Sequence, residues 1–194
     1  MKKTKKDYIG TYLGIVRKLT EKISSKEIED TVNLLAQLKK RRGRLFLLGV
    51  GGSAANCSHA VNDFRKICHI EAYAPTDNVA ELTARTNDDG WDTVFSRWLE
   101  VSHLAPRDMV MVLSVGGGIM EKNVSPNIVK ALEFAQKVGS VITGIVSRDG
   151  GYTRKVATVS ILIPISEADF ITPLAESFQA VLWHAIVTHP KLRS

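Results

Sequence analysis

The segment from Arg44 to Phe64, RLFLLGVGGSAANCSHAVNDF, constrains the fold more than any other part of the chain. Leu45 to Leu48 is an apolar run without polar alternation, the pattern of a parallel strand covered on both faces. It stops at Gly49. Gly49, Gly51 and Gly52 then make a sharp turn from which Ser53 and Ala54 open a helix. The free amides of a first helical turn form an anion site, suited above all to phosphate. Strand, glycine turn and helix in immediate succession are the repeating unit of an α/β domain.

The remaining chain supplies more such units. Residues 7–23 carry Tyr8, Ile9, Tyr12, Leu13, Ile15, Val16, Leu19 and Ile23 at helical spacing. Ser24 followed by Glu27 has capping-box spacing and starts a second helix with Ile28, Val32, Leu35 and Leu38 on one stripe. These two helices, within residues 1–43, are expected to form a packing arm that builds an oligomer. Residues 44–194 are expected to form the α/β core of the same single domain. After the opening unit the sequence predicts a strand over Ile70 to Tyr73, a helix near Val79 to Arg85, a turn at Asn87 to Gly90 and a helix from Trp91 to Leu104. Further strands are predicted over Met109 to Leu113, Val141 to Val146 and Val159 to Ile163. Gly150-Gly151 is read as a turn. Ser125 with Pro126 reads as a helix cap followed by proline, the helix running to about Lys137. A last helix spans roughly Pro173 to Thr188. Alternating strands and helices favour a parallel sheet covered on both faces, with right-handed crossovers that put the glycine turns along one edge. Ligands of open α/β sheets bind in that crevice.

Composition narrows the setting. The 194 residues suit one domain, 44% hydrophobic and 24% charged. The longest apolar stretches fall short of the roughly 18 residues of a membrane span, and the lysine-rich N-terminus lacks the apolar core of an export signal. A cytoplasmic protein away from membranes is expected. Cys57 and Cys68 lack CxxC spacing and read as reduced packing residues. The formal charge of +6 suits anionic ligands. Its basic runs, Lys2 to Lys6 and Lys39 to Arg44, lack the interleaved aromatics of a single-strand nucleic-acid binder, and the second falls at a helix end, where cations are favoured.

Ser114-Val115-Gly116-Gly117-Gly118 is a second glycine turn at a strand's carboxyl end. Backbone amides near Gly51 to Ala54 and the hydroxyls of Ser53, Ser114 and Ser125 could together hold the phosphate of a small molecule. The plainer alternative is that the glycines only permit tight turns. A dinucleotide reading also competes: Gly49-Val50-Gly51-Gly52-Ser53-Ala54 fits GxGxxG/A, with Glu71 where a ribose-binding acid would stand. His59 and Asp63, four apart, share a face of the helix after the first turn. Glu176 and His184 lie on the last helix. Two histidines and two carboxylates can hold a divalent metal such as zinc, or move a proton between adjacent carbons. Eight residues of helix span about 12 Å, so Glu176 and His184 of one straight helix should not ligate the same ion. Alternatively the histidines are packing or surface residues and Glu176 is a solvated first-turn acid.

These residues resemble the sugar isomerase (SIS) domain proteins of the phosphoheptose isomerase type, which convert sedoheptulose 7-phosphate to D-glycero-D-manno-heptose 7-phosphate. LLGVGGSAANCSHAVNDF resembles the family's GNGGS turn and following His-x-x-x-Glu helix, and NDDGWDTVFSRWLE its ND-x-G and D-x-FSR segment. SVGGG with SPNIVKAL resembles its STSG turn and helix, and SRDGG its KDGG turn. The resemblance implies a flavodoxin-like α-β-α sandwich of three layers with a five-stranded parallel sheet behind the helical arm. It implies no nucleotide cofactor. It also implies a homotetramer with active sites between subunits, a phosphorylated sugar bound by the serine-rich turns, a glutamate and a histidine as acid and base, and in some members zinc held by His, Glu, Gln and His.

Carried over, His59 keeps its type, Asp63 stands at the glutamate and Asp88 matches the aspartate of the ND pair. The family's spacing of eight puts Glu176 at the glutamine and His184 at the histidine; a register shifted by one gives Ala175 and Trp183. The implied catalytic residues are Asp63 and His184, and the implied metal set is His59, Asp63, Glu176 and His184. The implied substrate- and phosphate-binding set is Gly51, Gly52, Ser53, Ala54, Asp88, Ser114, Gly116, Gly117 and Ser125. The chain departs from the pattern in the shorter Asp63, in Val50 for an asparagine, in two hydroxyls missing from the second turn, and in added stretches at Gly118 to Asn123 and Ile171 to Ala175. The function implied is an aldose–ketose isomerase working through an enediol. The alternative is a non-catalytic SIS module that binds a phosphosugar or docks a protein, as replication initiator-associating relatives do.

Overall fold

Every residue of β1 (Leu45–Leu48) and of β3 (Met109–Ser114) is buried, so neither strand has a solvent face. Successive side chains of a strand point to opposite sides. Leu45, Leu47, Met109 and Met111 accordingly enter one apolar core, and Phe46, Leu48, Val110 and Val112 the other. Two cores on one sheet make three layers. The structure, a computed structural model, describes residues 7–193. The Lys2 to Lys6 run lies outside the described residues.

In chain order the elements are α1 (Tyr8–Lys22), α2 (Ser25–Lys40), β1, α3 (Gly52–Lys66), β2 (Ala72–Tyr73), α4 (Val79–Asp88), α5 (Val94–Val101), β3, α6 (Pro126–Val138), β4 (Val141–Ser147), α7 (Gly151–Val156), β5 (Val159–Ile163), α8 (Ile171–Val187) and α9 (Pro190–Arg193). The strands are all parallel in the order β2-β1-β3-β4-β5, with Leu45 opposite both Ala72 and Met109. Buried residues of α1, α2, α3 and α8 fill the first core, and those of α5 and α6 the second. The chain leaves β1 toward the first layer and β3 toward the second, so a crevice opens between their carboxyl ends.

The arm is tied to the sheet by its capping residues. Ser24 Oγ accepts the Glu27 N–H at 3.2 Å. The Glu27 carboxylate turns away from the cap, accepts the Leu162 N–H at 3.0 Å and meets Arg154 at 3.2 Å. It thus occupies an exposed donor of the edge strand β5. On the outer side of α1, Tyr8, Ile9 and Leu13 are exposed.

Several boundaries differ from the sequence reading. β2 keeps only Ala72 and Tyr73 of the expected Ile70 to Tyr73, because those two alone pair with β1. α4 runs on to Asp88, held by Arg85 against Glu81 at 2.8 Å and toward Asp89 at 3.7 Å, so the Asn87 to Gly90 turn begins later. α5 is shorter than Trp91 to Leu104. Gly150-Gly151 leads into α7, a six-residue helix too short to show a periodic apolar stripe. Ser125 stands before α6 as expected but in a left-handed conformation, φ 50°, with no side-chain cap bond. The segment Ala168–Val187, which contains α8, is long and apolar enough to cross a membrane, with mean hydropathy 1.2. Here it serves as a core helix, with Leu174, Phe178, Leu182, Trp183 and Ile186 buried.

Candidate active site

α3 starts at the turn after β1 and packs against α8, and this crossing builds the site. The helix is amphipathic: Cys57, Ala60, Val61 and Phe64 enter the core while His59 lies outward. Asp63, one turn beyond His59, is buried. Its Oδ2 accepts the Trp183 indole N–H at 3.2 Å, and the Nε2 atoms of His184 and His59 lie 3.3 Å and 3.6 Å from the same oxygen. Asn62 donates to the other carboxylate oxygen at 3.1 Å. The two imidazoles meet edge to face, 5.3 Å between centroids. Their side chains are 57% and 49% exposed, so the cluster opens to the surface around a buried acid.

The donor atoms of His59, Asp63 and His184 lie within 4.8 Å of one another. A tetrahedral zinc ion with bonds near 2.0–2.1 Å needs ligand atoms about 3.4 Å apart. The contacts of both histidines with Asp63 are already of that size, and two imidazoles with one carboxylate are a catalytic zinc set with a position left open. The residues therefore fit such an ion. Glu176, expected as a further ligand, is not in this group. Its carboxylate rests against Gly52, where a β-carbon would come within 2.5 Å of Oε2. Helical rise separates it from His184 as the spacing requires.

Beside the cluster, a cavity of about 440 Å³ opens at the carboxyl ends of β1, β3 and β4, lined by Val50, Ser53, Ser114, Val115, Gly116, Ile119, Val124, Ser125, Arg148 and Thr172. Ser53 to His59 is about 9 Å along α3, the span of a small sugar. Ser53 Oγ accepts from Gln179 Nε2 at 3.0 Å, and Gln179 Oε1 accepts from Asn56 Nδ2 at 2.8 Å. Ser114 Oγ accepts the Gly117 N–H at 3.0 Å. Each hydroxyl thus has a filled acceptor side and keeps its proton to donate.

Of the residues expected to bind the substrate and its phosphate, Ser53, Ser114, Gly116 and Ser125 line this cavity. Gly51, Gly52 and Ala54 form the mouth of α3 beside it, Gly117 is buried behind it, and Asp88 is exposed at the end of α4 with its carboxylate on Asn87. Sequence reasoning missed Trp183, Gln179, Asn56, Arg148 and Thr172. Gln179 alone left a trace: an amide in the apolar stripe of α8 marks a buried polar network.

Fold and cavity define a doubly wound α/β protein with a ligand-sized crevice where the sheet order reverses. The SIS domain profile matches residues 7–147, and the chain belongs to the SIS domain family. It is 32% identical over 167 residues to the phosphoheptose isomerase of Citrifermentans bemidjiense, covering 84% of this chain and 81% of that one. It is 30% identical over 186 residues to that of Geotalea daltonii, covering 93% and 91%. Among solved structures it matches the phosphoheptose isomerase of Neisseria gonorrhoeae with a TM-score of 0.78 at 24% identity, over 92% of this chain and 94% of that one. For the enzyme from Francisella tularensis the TM-score is 0.80 at 18% identity, over 95% and 96%.

Proposed function

We propose that this protein is an aldose–ketose isomerase of a phosphorylated sugar, a heptose 7-phosphate, and that residues 1–194 form one SIS domain. The observation that carries the reading is the convergence of His59, Asp63 and His184, from two helices, about a sugar's length from a hydroxyl-lined cavity. The likeness to phosphoheptose isomerases supports it.

The phosphate lies in the cavity, where the Ser53 and Ser114 hydroxyls donate to it, and the first carbons of the sugar reach the cluster. In the ketose-to-aldose direction one group takes the proton from C1, the enediol forms, and the proton returns to C2 while the hydroxyl proton passes from O1 to O2. Asp63 and His184 perform these transfers. Trp183 holds the Asp63 carboxylate in place and His59 flanks it. A zinc ion, where bound, would be held by His59, Asp63 and His184 and would supply polarisation of the sugar's carbonyl in place of the proton transfers that Asp63 and His184 perform without it. With this reading go a cytoplasmic setting and a homotetramer; the exposed Tyr8, Ile9 and Leu13 of α1 support a contact between copies of the chain.

The test is turnover of sedoheptulose 7-phosphate by wild type, Asp63→Asn and His184→Ala, with and without zinc. Each substitution should lower the rate by about 10²–10⁴-fold. Wild-type rates in both would defeat the assignment. The engagement of Asp63 Oδ2 with the Trp183 indole favours a second reading, a module that binds the phosphosugar without turning it over. That reading requires a thermal shift with sedoheptulose 7-phosphate and no product.

A further inference from the structure

Arg148 contributes the one cationic side chain among the residues lining the cavity, and no acidic side chain lines it. It follows β4 in a turn closed by the Gly150 N–H on the Ser147 carbonyl at 2.9 Å. Its φ is +55°, a left-handed conformation that residues with a β-carbon adopt at a cost. Its stem runs along the second glycine turn, with Cδ at 3.7 Å from where a β-carbon on Gly116 would stand. Among the described residues the guanidinium has no hydrogen-bond or ion-pair partner. The neighbouring acid, Asp149, is turned to its own loop and accepts the Gly151 N–H at 3.1 Å.

The cavity's other donors are neutral hydroxyls, and part of its backbone is already committed. In the second turn the Gly117 N–H is used on Ser114 Oγ, and the carbonyls of Gly117 and Gly118 face the amides of Thr153 and Tyr152 at 2.9 Å and 2.7 Å. At the first turn the Glu176 carboxylate already lies against Gly52, and its negative charge opposes a second anion at the mouth of α3. Val50, Val115, Ile119 and Val124 give the cavity an apolar wall. A guanidinium facing a phosphate makes paired, charge-assisted hydrogen bonds that a lysine does not reproduce.

We propose that Arg148 is the residue that recognises the phosphate: its guanidinium grips the ligand's anionic group in this cavity, while Ser53 and Ser114 orient it. The inference deepens the phosphosugar reading and rests on it. It makes the enzyme selective for a phosphorylated over a free sugar.

The test uses the full chain and the variants Arg148→Gln, Arg148→Lys and Arg148→Asn; asparagine tolerates the left-handed backbone and so separates loss of charge from loss of the turn. With sedoheptulose 7-phosphate, Arg148→Gln and Arg148→Asn should raise KM about tenfold or more and change kcat less than about threefold, Arg148→Lys falling between. Independently of turnover, inorganic phosphate should raise the melting temperature of wild type and of Asp63→Asn above that in chloride of equal ionic strength, and should not raise that of Arg148→Gln or Arg148→Asn. A wild-type KM or an undiminished phosphate shift in Arg148→Asn overturns the inference, as does a wild type that phosphate does not stabilise. A wild type that is stabilised by phosphate through Arg148 but does not isomerise the sugar overturns the isomerase reading and leaves the anchor standing.

Discussion

The two glycine turns look alike in sequence and are built for different work. The first, after β1, is open: Gly51 and Gly52 are exposed, and Gly52 is crowded only by the movable end of Glu176. The second, after β3, is closed. Gly117, at φ +69°, leaves no room for a β-carbon against the Gly150 carbonyl oxygen, and the turn's carbonyls are bonded to the first amides of α7. One turn faces the crevice with its backbone, whereas the other clasps two parts of the sheet edge and offers the ligand one hydroxyl. Glycine content therefore says that the chain turns, and the partners of the turn say what it is for.

That contrast predicts a graded series of effects. Gly117→Ala should be the most damaging, since both the dihedral and the contact with rigid backbone oppose it, at about 3 kcal/mol or more of unfolding free energy in urea. A near-neutral result would show that the second turn is not a clasp. Ser114→Ala removes the acceptor of the Gly117 N–H and should cost about 1–3 kcal/mol, with weaker binding of inorganic phosphate as well. Gly52→Ala displaces only a flexible carboxylate at a helical position and should alter stability by less than about 1 kcal/mol; a loss as large as that of Gly117→Ala would erase the distinction between the turns.

The smallest effect concerns the two buried thiols, of which Cys57 lies beneath the first turn. A β-carbon on Gly49 would stand 2.9 Å from the Cys57 Sγ, so this thiol supports the turn from below. Burial pushes the Cys57 thiol up strongly and that of Cys68 up to about 11. Because the fold favours the protonated thiol, this contribution to stability is complete below the ordinary value of 9.0 and drains away as pH rises through about 11. Urea midpoints should therefore fall modestly across that window. Iodoacetamide should label neither cysteine of the folded protein at about pH 8, and labelling of Cys57 would mean that the first turn opens from beneath.

The strands were legible because a parallel strand buried on both faces admits only apolar residues, as in LFLL and MVMVL. Short elements were not: β2 is cut to two residues by its pairing, and α7 is too brief to carry a period. The site divides in the same way. His59 and Asp63 were readable as a pair because helical spacing alone puts them together. Glu176 lay on the right helix, but the rise of that helix keeps it from the cluster, and its carboxylate went to Gly52. Arg148 lay within the SRDGG turn, but nothing local marked it as a binding residue, since its importance comes from a cavity shared with β1 and β3.

The amino-acid sequence by itself determined the alternation of strands and helices, the crevice edge on which the glycine turns fall, and the family, because these depend on periodicity and turn chemistry over a few neighbouring residues. Only the tertiary structure decided that His184 and Trp183 meet Asp63, that Gln179 primes Ser53, and that Arg148 faces the cavity without a counter-ion among the described residues. Those contacts join residues far apart in the chain, and they are settled by how α3, α8 and the sheet pack together, a sum over the whole core that no local pattern encodes.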